Sequence, residues 1–76
     1  MTEQELKDAN RRKVPVEWRG RQEYECALGQ VTAIIYRYLD GKEVISVEIT
    51  SFGDKRSCII CRPEDVHLWA PVHQTT

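Results

Sequence analysis

The chain lacks long apolar runs, glycine-rich loops and a paired set of cysteines, and each absence excludes a class of protein. No apolar run approaches the length that a membrane-spanning helix needs. The glycines stand singly at turns or bends, so the sequence has no glycine-rich phosphate loop. The polar residues 2–13 lack the apolar centre of a signal peptide, and an odd number of cysteines suits a reducing compartment better than a disulfide scaffold. The sequence therefore predicts a cytoplasmic protein with no membrane partner.

The chain has enough residues for one small domain. Its 76 residues can enclose a single core, and domains of this size have a free energy of unfolding of about 5 kcal/mol. The hydrophobic fraction of 41% argues against wholesale disorder. The net charge of −1 gives no general attraction to nucleic acid or to membranes.

The region between Tyr24 and Cys61 has the pattern of three β-strands joined by tight turns. Asp40-Gly41 is suited to a two-residue type I′ turn, and Gly53-Asp54 to a type II′ turn. Between these turns, apolar and polar residues alternate with the period of a strand that has one buried face. We therefore expect residues 31–39 to pair antiparallel with 43–51, and 43–51 to pair with 56–61.

The alternation also predicts which side chains are buried. Ile45, Val47 and Ile49 should face the core, and Glu48 should be exposed. The pattern changes phase near Gly29, which predicts a bulge or a bend at that residue. Trp18 shares the alternation of an earlier strand that contains Pro15, so we expect its ring in the core. Because proline cannot donate a ladder hydrogen bond, this strand should lie at an edge or start late.

Two helical segments are expected outside the sheet. Thr2 and Glu5 have the spacing of a capping box, so a helix can run to about Arg12. Its only apolar residues are Leu6 and Ala9, which predicts a peripheral helix or a frayed arm, with a disordered terminus as the alternative. Residues 62–65 have the proline and acidic residues of a helix start, with room for one turn.

These elements indicate an all-β fold. Their strand order and turn placement resemble a small antiparallel SH3-like barrel of four to five strands, with a short N-terminal helix or arm and a one-turn helix near the C-terminus. An OB-like barrel is the nearest alternative. The expected organisation is a polar helix or flexible arm over 1–13, the barrel domain over 14–71 and a flexible tail over 72–76.

A basic cluster surrounds Trp18 and is a candidate nucleic-acid-binding surface. Arginines can contact phosphates while an aromatic ring stacks on a base. The alternative is a solvated basic segment with Trp18 in the core. The cluster consists of Arg11, Arg12, Lys13, Arg19 and Arg21.

Three aromatic residues near the hairpin ends form a candidate protein-binding surface. In SH3-like barrels, exposed aromatic residues line grooves that bind peptides. The alternative is that Tyr36, Tyr38 and Phe52 stabilise the sheet through cross-strand pairs.

Cys58 and Cys61 have the two-residue gap of a zinc or redox motif. Such motifs normally lie on a turn that brings both sulfur atoms together, whereas these cysteines lie in a predicted strand and face opposite sides. We therefore expect no metal and no cofactor, with a structural zinc domain as a third-ranked alternative.

No catalytic signature stands in the sequence. The leading hypothesis is a non-catalytic module, of a compactness typical of small bacterial or phage proteins, that binds another protein through a barrel face or an edge strand. The first alternative is an RNA- or DNA-binding small barrel. The protein is expected to be a monomer or a weak homodimer.

Overall fold

The computed structural model describes residues 1–22, 24–53 and 57–69. The predicted Gly53-Asp54 turn lies partly outside these residues, and the predicted tail over 72–76 lies wholly outside them. The elements, in chain order, are α1 (Glu3–Arg12), β1 (Val16–Arg19), β2 (Cys26–Leu39), β3 (Lys42–Ser51), β4 (Cys58–Cys61), a 3₁₀ turn (Pro63–Asp65) and β5 (Val66–Leu68).

The strands form one antiparallel sheet in the order β4-β3-β2-β1-β5. The predicted pairing of β2 with β3 and of β3 with β4 is confirmed. The described part of the chain is thus mostly β, with one short α-helix. Among the described residues β4 and β5 do not pair with each other, so the sheet is open and the closure that a barrel requires is not present.

The hairpin between β2 and β3 has the predicted turn. Leu39 pairs with Lys42, which leaves Asp40 and Gly41 as a two-residue loop. Their φ angles are 52° and 77°, and a type I′ turn requires positive φ at both positions. Glycine accepts such an angle without strain, and aspartate tolerates it better than most residues do.

The bulge in β2 lies at Thr32, and the prediction that placed it at Gly29 is wrong. Val31 pairs with Ile49 but Ala33 pairs with Glu48, so Thr32 is the extra residue. Its insertion moves the core-facing positions from odd to even numbers, which brings Val31 and Ile34 onto the same face. Gly29 is a position of close approach instead, because a Cβ atom there would clash with the carbonyl oxygen of Thr50.

The core lies between α1 and one face of the sheet. The predicted burial of Val47 and Ile49 is confirmed, whereas Ile45 is only half-buried because it pairs with Tyr36 towards the exposed hairpin turn. Glu48 is half-buried, not exposed, since the Thr32 hydroxyl lies 2.7 Å from its carboxylate on the opposite face. The fully or almost fully buried apolar residues are Leu6, Ala9, Val16, Val31, Val47, Ile49 and Val66.

The helix α1 contributes to this core more than its composition suggests. The predicted capping box is present, with Glu5 N–H donating to the Thr2 hydroxyl at 3.2 Å and Thr2 N–H donating to the Glu5 carboxylate at 2.8 Å. Leu6 is fully buried and Ala9 is 2% exposed. These two apolar side chains are enough to anchor the helix because both lie against the sheet. The expectation of a weakly anchored arm therefore underestimated α1.

Trp18 is half-buried and packs against the core, so the prediction of an interior ring holds only in part. Its strand β1 begins at Val16, directly after Pro15, so the expected late start is confirmed, whereas the expected edge position is not, because β1 lies between β2 and β5. No helix among the described residues has the length and apolar character to cross a membrane.

Candidate interaction edge

The open sheet ends in two outer strands, β4 and β5. In an antiparallel pair, every second residue exchanges both of its backbone hydrogen bonds with the neighbouring strand. The residues between them direct N–H and C=O groups away from the sheet, where another strand can bind. The hydrogen bonds at each end of the sheet show which residues these are.

On β4 the outward residues are Cys58 and Ile60. Ser51 N–H donates to the carbonyl oxygen of Ser57 at 3.0 Å, which makes these two residues a hydrogen-bonded pair. Two residues further along β4, Ile59 forms the next hydrogen-bonded pair with Ile49, so its backbone groups face β3. Cys58 and Ile60 alternate with these residues, so their N–H and C=O groups point away from β3. Among the described residues, no strand pairs with this outer side.

The side chains of β4 divide between the two faces of the sheet. Cys61 packs against the core and Ile59 shares its face, whereas Cys58 is exposed and Ile60 is 49% exposed on the other face. The strand Cys58–Cys61 contains no charged residue. Natural edge strands are commonly protected by being short or by charged side chains, proline or a bulge, and the four-residue β4 has only the first of these protections.

On β5 the outward residues are Val66 and Leu68. Trp69 N–H donates to the carbonyl oxygen of Pro15 at 3.3 Å, which fixes the hydrogen-bonded pairs between β5 and β1. The register then directs the backbone groups of Val66 and Leu68 away from β1.

Both backbone groups of Val66 already have partners. Its N–H donates to the Pro63 carbonyl oxygen at the end of the 3₁₀ turn. Its carbonyl oxygen accepts from the Met1 ammonium at 3.1 Å, and the same ammonium donates to Pro63 at 2.7 Å. The start of the chain therefore covers the β5 edge, and only Leu68 presents outward backbone groups there.

The basic residues of the helix end do not form an uninterrupted positive surface. Arg11 pairs with Asp8 at 3.0 Å, and Arg12 lines a small cleft that Asp8 and Glu5 also line. Lys13 caps the helix in the left-handed conformation, with φ of 56°. All three cations are exposed, but acidic side chains of the same helix lie beside two of them, Arg11 and Arg12.

The other basic residues line a separate cleft beside the β1–β2 loop. This cleft, of about 340 Å³, is lined by Arg19 and Arg21 together with Glu17 and Glu25. Arg19 pairs with Glu17 at 2.9 Å, which offsets part of its charge. Trp18 packs over Gly20, since a Cβ atom on this glycine would lie 3.0 Å from the ring. The ring is therefore occupied by contacts within the protein.

The aromatic candidates do not form one groove. The Tyr36 hydroxyl donates to the Glu3 carboxylate, which lowers the pKa of Glu3 and raises that of Tyr36. This bond joins β2 to α1. Tyr38 is 73% exposed and donates to Glu43 at 3.2 Å. Phe52 follows the other end of β3, roughly 20 Å along the strand from the residue that pairs with Tyr36.

The cysteines are poorly placed to bind a metal together. Cys58 and Cys61 lie on opposite faces of β4. Burial, with a smaller contribution from the Asp65 carboxylate, raises the pKa of the Cys61 thiol to about 11, so this thiol stays protonated at neutral pH. Within residues 1–22, 24–53 and 57–69, no group of three or more histidine, cysteine or acidic side chains could hold a metal ion.

Comparison of the chain with protein-family models, with curated proteins and with solved structures finds no match. The described residues define the class of an open antiparallel sheet with one covering helix, and the candidate binding surfaces are the two edges of this sheet. Sequence reasoning proposed an edge strand as a binding element without identifying which strand. The uncharged stretch from Cys58 to Cys61 was the available signal.

Proposed function

We propose that this protein is a non-catalytic module that binds an extended segment of another protein along the outer edge of β4. The observation that carries the proposal is the pair of outward residues Cys58 and Ile60 on an uncharged edge strand. A segment that adds to this edge as a further strand would pair with their N–H and C=O groups. The proposal also includes a cytoplasmic location and an SH3-like arrangement of the strands.

Backbone hydrogen bonds supply the affinity in this mode of recognition, and side chains at alternate positions supply the specificity. Each bond contributes about 0.5–1.5 kcal/mol net. On the exposed face, Cys58 and Ile60 present a small and a large apolar side chain to the incoming strand. The preferred segment therefore has apolar or β-branched residues at the positions beside them. Because β4 is short, we expect transient binding in the micromolar range or weaker.

The test compares proline substitutions at the two edges. Ile60→Pro removes an outward N–H from β4, and Leu68→Pro removes the matched outward N–H from β5, while the bonds that hold each strand to the sheet are kept. Peptides are first selected on the wild type from a random-peptide display library. The best of them is then titrated against all three proteins.

We expect Ile60→Pro to weaken peptide binding at least tenfold and Leu68→Pro to change it less than twofold. Backbone amide shifts on titration should be largest over residues 57–61. If no peptide is selected, or if the selected peptide binds Ile60→Pro as well as it binds the wild type, the proposal is wrong.

RNA or DNA binding is the second candidate, and the exposed Arg19 and Arg21 at one cleft favour it. Each neutralised phosphate releases counterion, so affinity for a mixed single strand should then fall steeply with salt. Salt-sensitive binding by the wild type, lost after glutamine replaces Arg11, Arg12, Arg19 and Arg21, would put this function first. Because acidic side chains pair with two of these arginines, we expect no such binding.

A further inference from the structure

We infer that β4 also pairs with β4 of a second copy of this chain, which gives a two-fold symmetric dimer with one continuous sheet. The inference rests on the proposed function, because both use the outward backbone groups of the same strand. It adds that a second copy of the chain is one of the partners that bind the β4 edge. Three properties of the edge support it: its hydrogen-bonding pattern, its lack of charge and its difference from the β5 edge.

The hydrogen-bonding pattern of β4 is complementary to itself. When two copies run antiparallel about an axis through Ile59, Cys58 of each copy lies opposite Ile60 of the other. Both residues direct their N–H and C=O groups outward. Each of these opposite pairs can therefore exchange both hydrogen bonds, and no outward group along Cys58–Cys61 is left without a partner.

The lack of charge matters because a two-fold axis through Ile59 places this central residue opposite itself in the second copy. A lysine or glutamate in the middle of β4 would then face a like charge, which destabilises directly opposed strands. The residues of β4 are cysteine and isoleucine only. On the exposed face, the small side chain of Cys58 adjoins the larger Ile60 of the second copy. The net charge of −1 gives little repulsion between whole chains.

The β5 edge is a poorer partner for β4. Val66 uses its N–H on Pro63 and its carbonyl oxygen on the Met1 ammonium. A head-to-tail contact between β4 and β5 would therefore have only the outward groups of Leu68 on the β5 side. Such a contact would produce rings or filaments instead of a closed dimer. The geometry favours the two-fold pairing.

The dimer should be weak, since a four-residue strand buries little surface. Interfaces well below about 1,200 Å² are generally transient. The experiment is sedimentation velocity of the full chain from about 10 μM to about 1 mM, a range in which transient interfaces associate. Reducing agent is present throughout, because the exposed Cys26 and Cys58 could otherwise form disulfides.

We expect the wild type to shift from monomer to dimer across this range. Ile60→Pro should weaken association at least tenfold, and Leu68→Pro should leave it unchanged. Loss of association in both variants, or species larger than a dimer, would show that the copies associate through β4–β5 contacts and not through two-fold pairing. Association that survives Ile60→Pro would place the interface elsewhere, and a wild type that stays monomeric would reject the inference.

Amide hydrogen exchange of the wild type gives a second measurement that needs no variant. The amides of Cys58 and Ile60 should become protected as concentration rises, while the amide of Leu68 should not. Equal protection at all three sites, or none at β4, contradicts the inference. If the wild type stays monomeric but still binds selected peptides at β4, only the dimer is rejected. If it neither dimerises nor binds peptides, the proposed function is rejected as well.

Discussion

The two outer strands of the sheet differ in what satisfies their outward backbone groups. On β5, both groups of Val66 are bonded, one to Pro63 and one to the Met1 ammonium. On β4, the outward groups of Cys58 and Ile60 have no strand beside them among the described residues. One sheet thus has a partly covered edge at β5 and an open edge at β4, although neither strand carries a guarding lysine or proline.

The difference follows from where α1 lies. Leu6 and Ala9 anchor the helix in the core, and this places the first residue beside the 3₁₀ turn and β5. The helix packs mainly on β2, so its start extends towards one edge of the sheet and not the other. An edge that the fold already satisfies offers little to a partner, whereas an unsatisfied edge next to exposed apolar side chains is a binding surface.

The largest expected effect is that of Leu6→Ala, which removes the main anchor of the covered side. Truncation of a fully buried leucine costs about 2–5 kcal/mol, comparable with the whole stability of a domain this small, about 5 kcal/mol. Chemical denaturation should show a large loss or no folded baseline. The matched control is Ile60→Ala on the open edge, where we expect a cost of about 1 kcal/mol or less. Similar costs at both positions would contradict the comparison.

An intermediate effect is expected for Trp18→Ala, next to the covered edge. Truncation of a fully buried tryptophan to alanine costs about 3–5 kcal/mol of the free energy of unfolding. Because Trp18 is half-buried, its truncation should cost about 2 kcal/mol. Thermal unfolding monitored by circular dichroism measures this change. An unchanged melting temperature would mean that the ring contributes no packing. It would then be free to stack on a base, which would strengthen the nucleic-acid hypothesis.

The smallest expected effect is a loosening of α1 in acid. Hydrogen bonds from Tyr36 and then Lys7 lower the pKa of Glu3 below its ordinary value of 4.5, and the Thr2 backbone N–H does the same for Glu5. Since these pKa values are lower in the folded state, their stabilising contribution is present above the unfolded pKa. It is lost as the pH falls through the folded values.

The helical circular dichroism signal should therefore decrease as the pH is lowered below 4.5. In a variant with Glu3→Gln and Glu5→Gln, the same titration should show a smaller change. Because both carboxylates are exposed, the effect should be modest and should weaken in high salt. An acid response that is identical in the variant would assign the loosening to other groups.

Much of the local structure could be predicted from the sequence. The Asp40-Gly41 turn, the capping box at Thr2 and Glu5 and the antiparallel order of β2, β3 and β4 depend on neighbouring residues, and local backbone preferences decide them. The bulge was misplaced because β2 carries apolar residues at both odd and even positions, so its sequence pattern does not show which of them face the core. Only the pairing with β3 distinguishes them.

The candidate site was less predictable. The basic cluster lies within residues 11–21 of the sequence, but the fold divides it between the helix end and the β1–β2 loop. The cysteine pair was correctly expected to separate across a strand, because side chains alternate between faces whatever surrounds them. Of the two placements that Pro15 allowed for β1, the late start was correct and the edge position was wrong, since the adjacency of β5 is a long-range contact.

The sequence by itself determined the strands β1 to β4, the tight turn and the helix cap, since each depends on backbone preferences that act over a few residues. Tertiary structure alone decided that β4 and β5 become the outer strands and that Met1 reaches Val66 across 65 positions of the chain. Such contacts depend on the packing of α1 against the whole sheet, and no local pattern encodes them. The open edge at Cys58 and Ile60 is a property of the same kind, because an unpaired backbone group is defined by what the rest of the chain leaves uncovered.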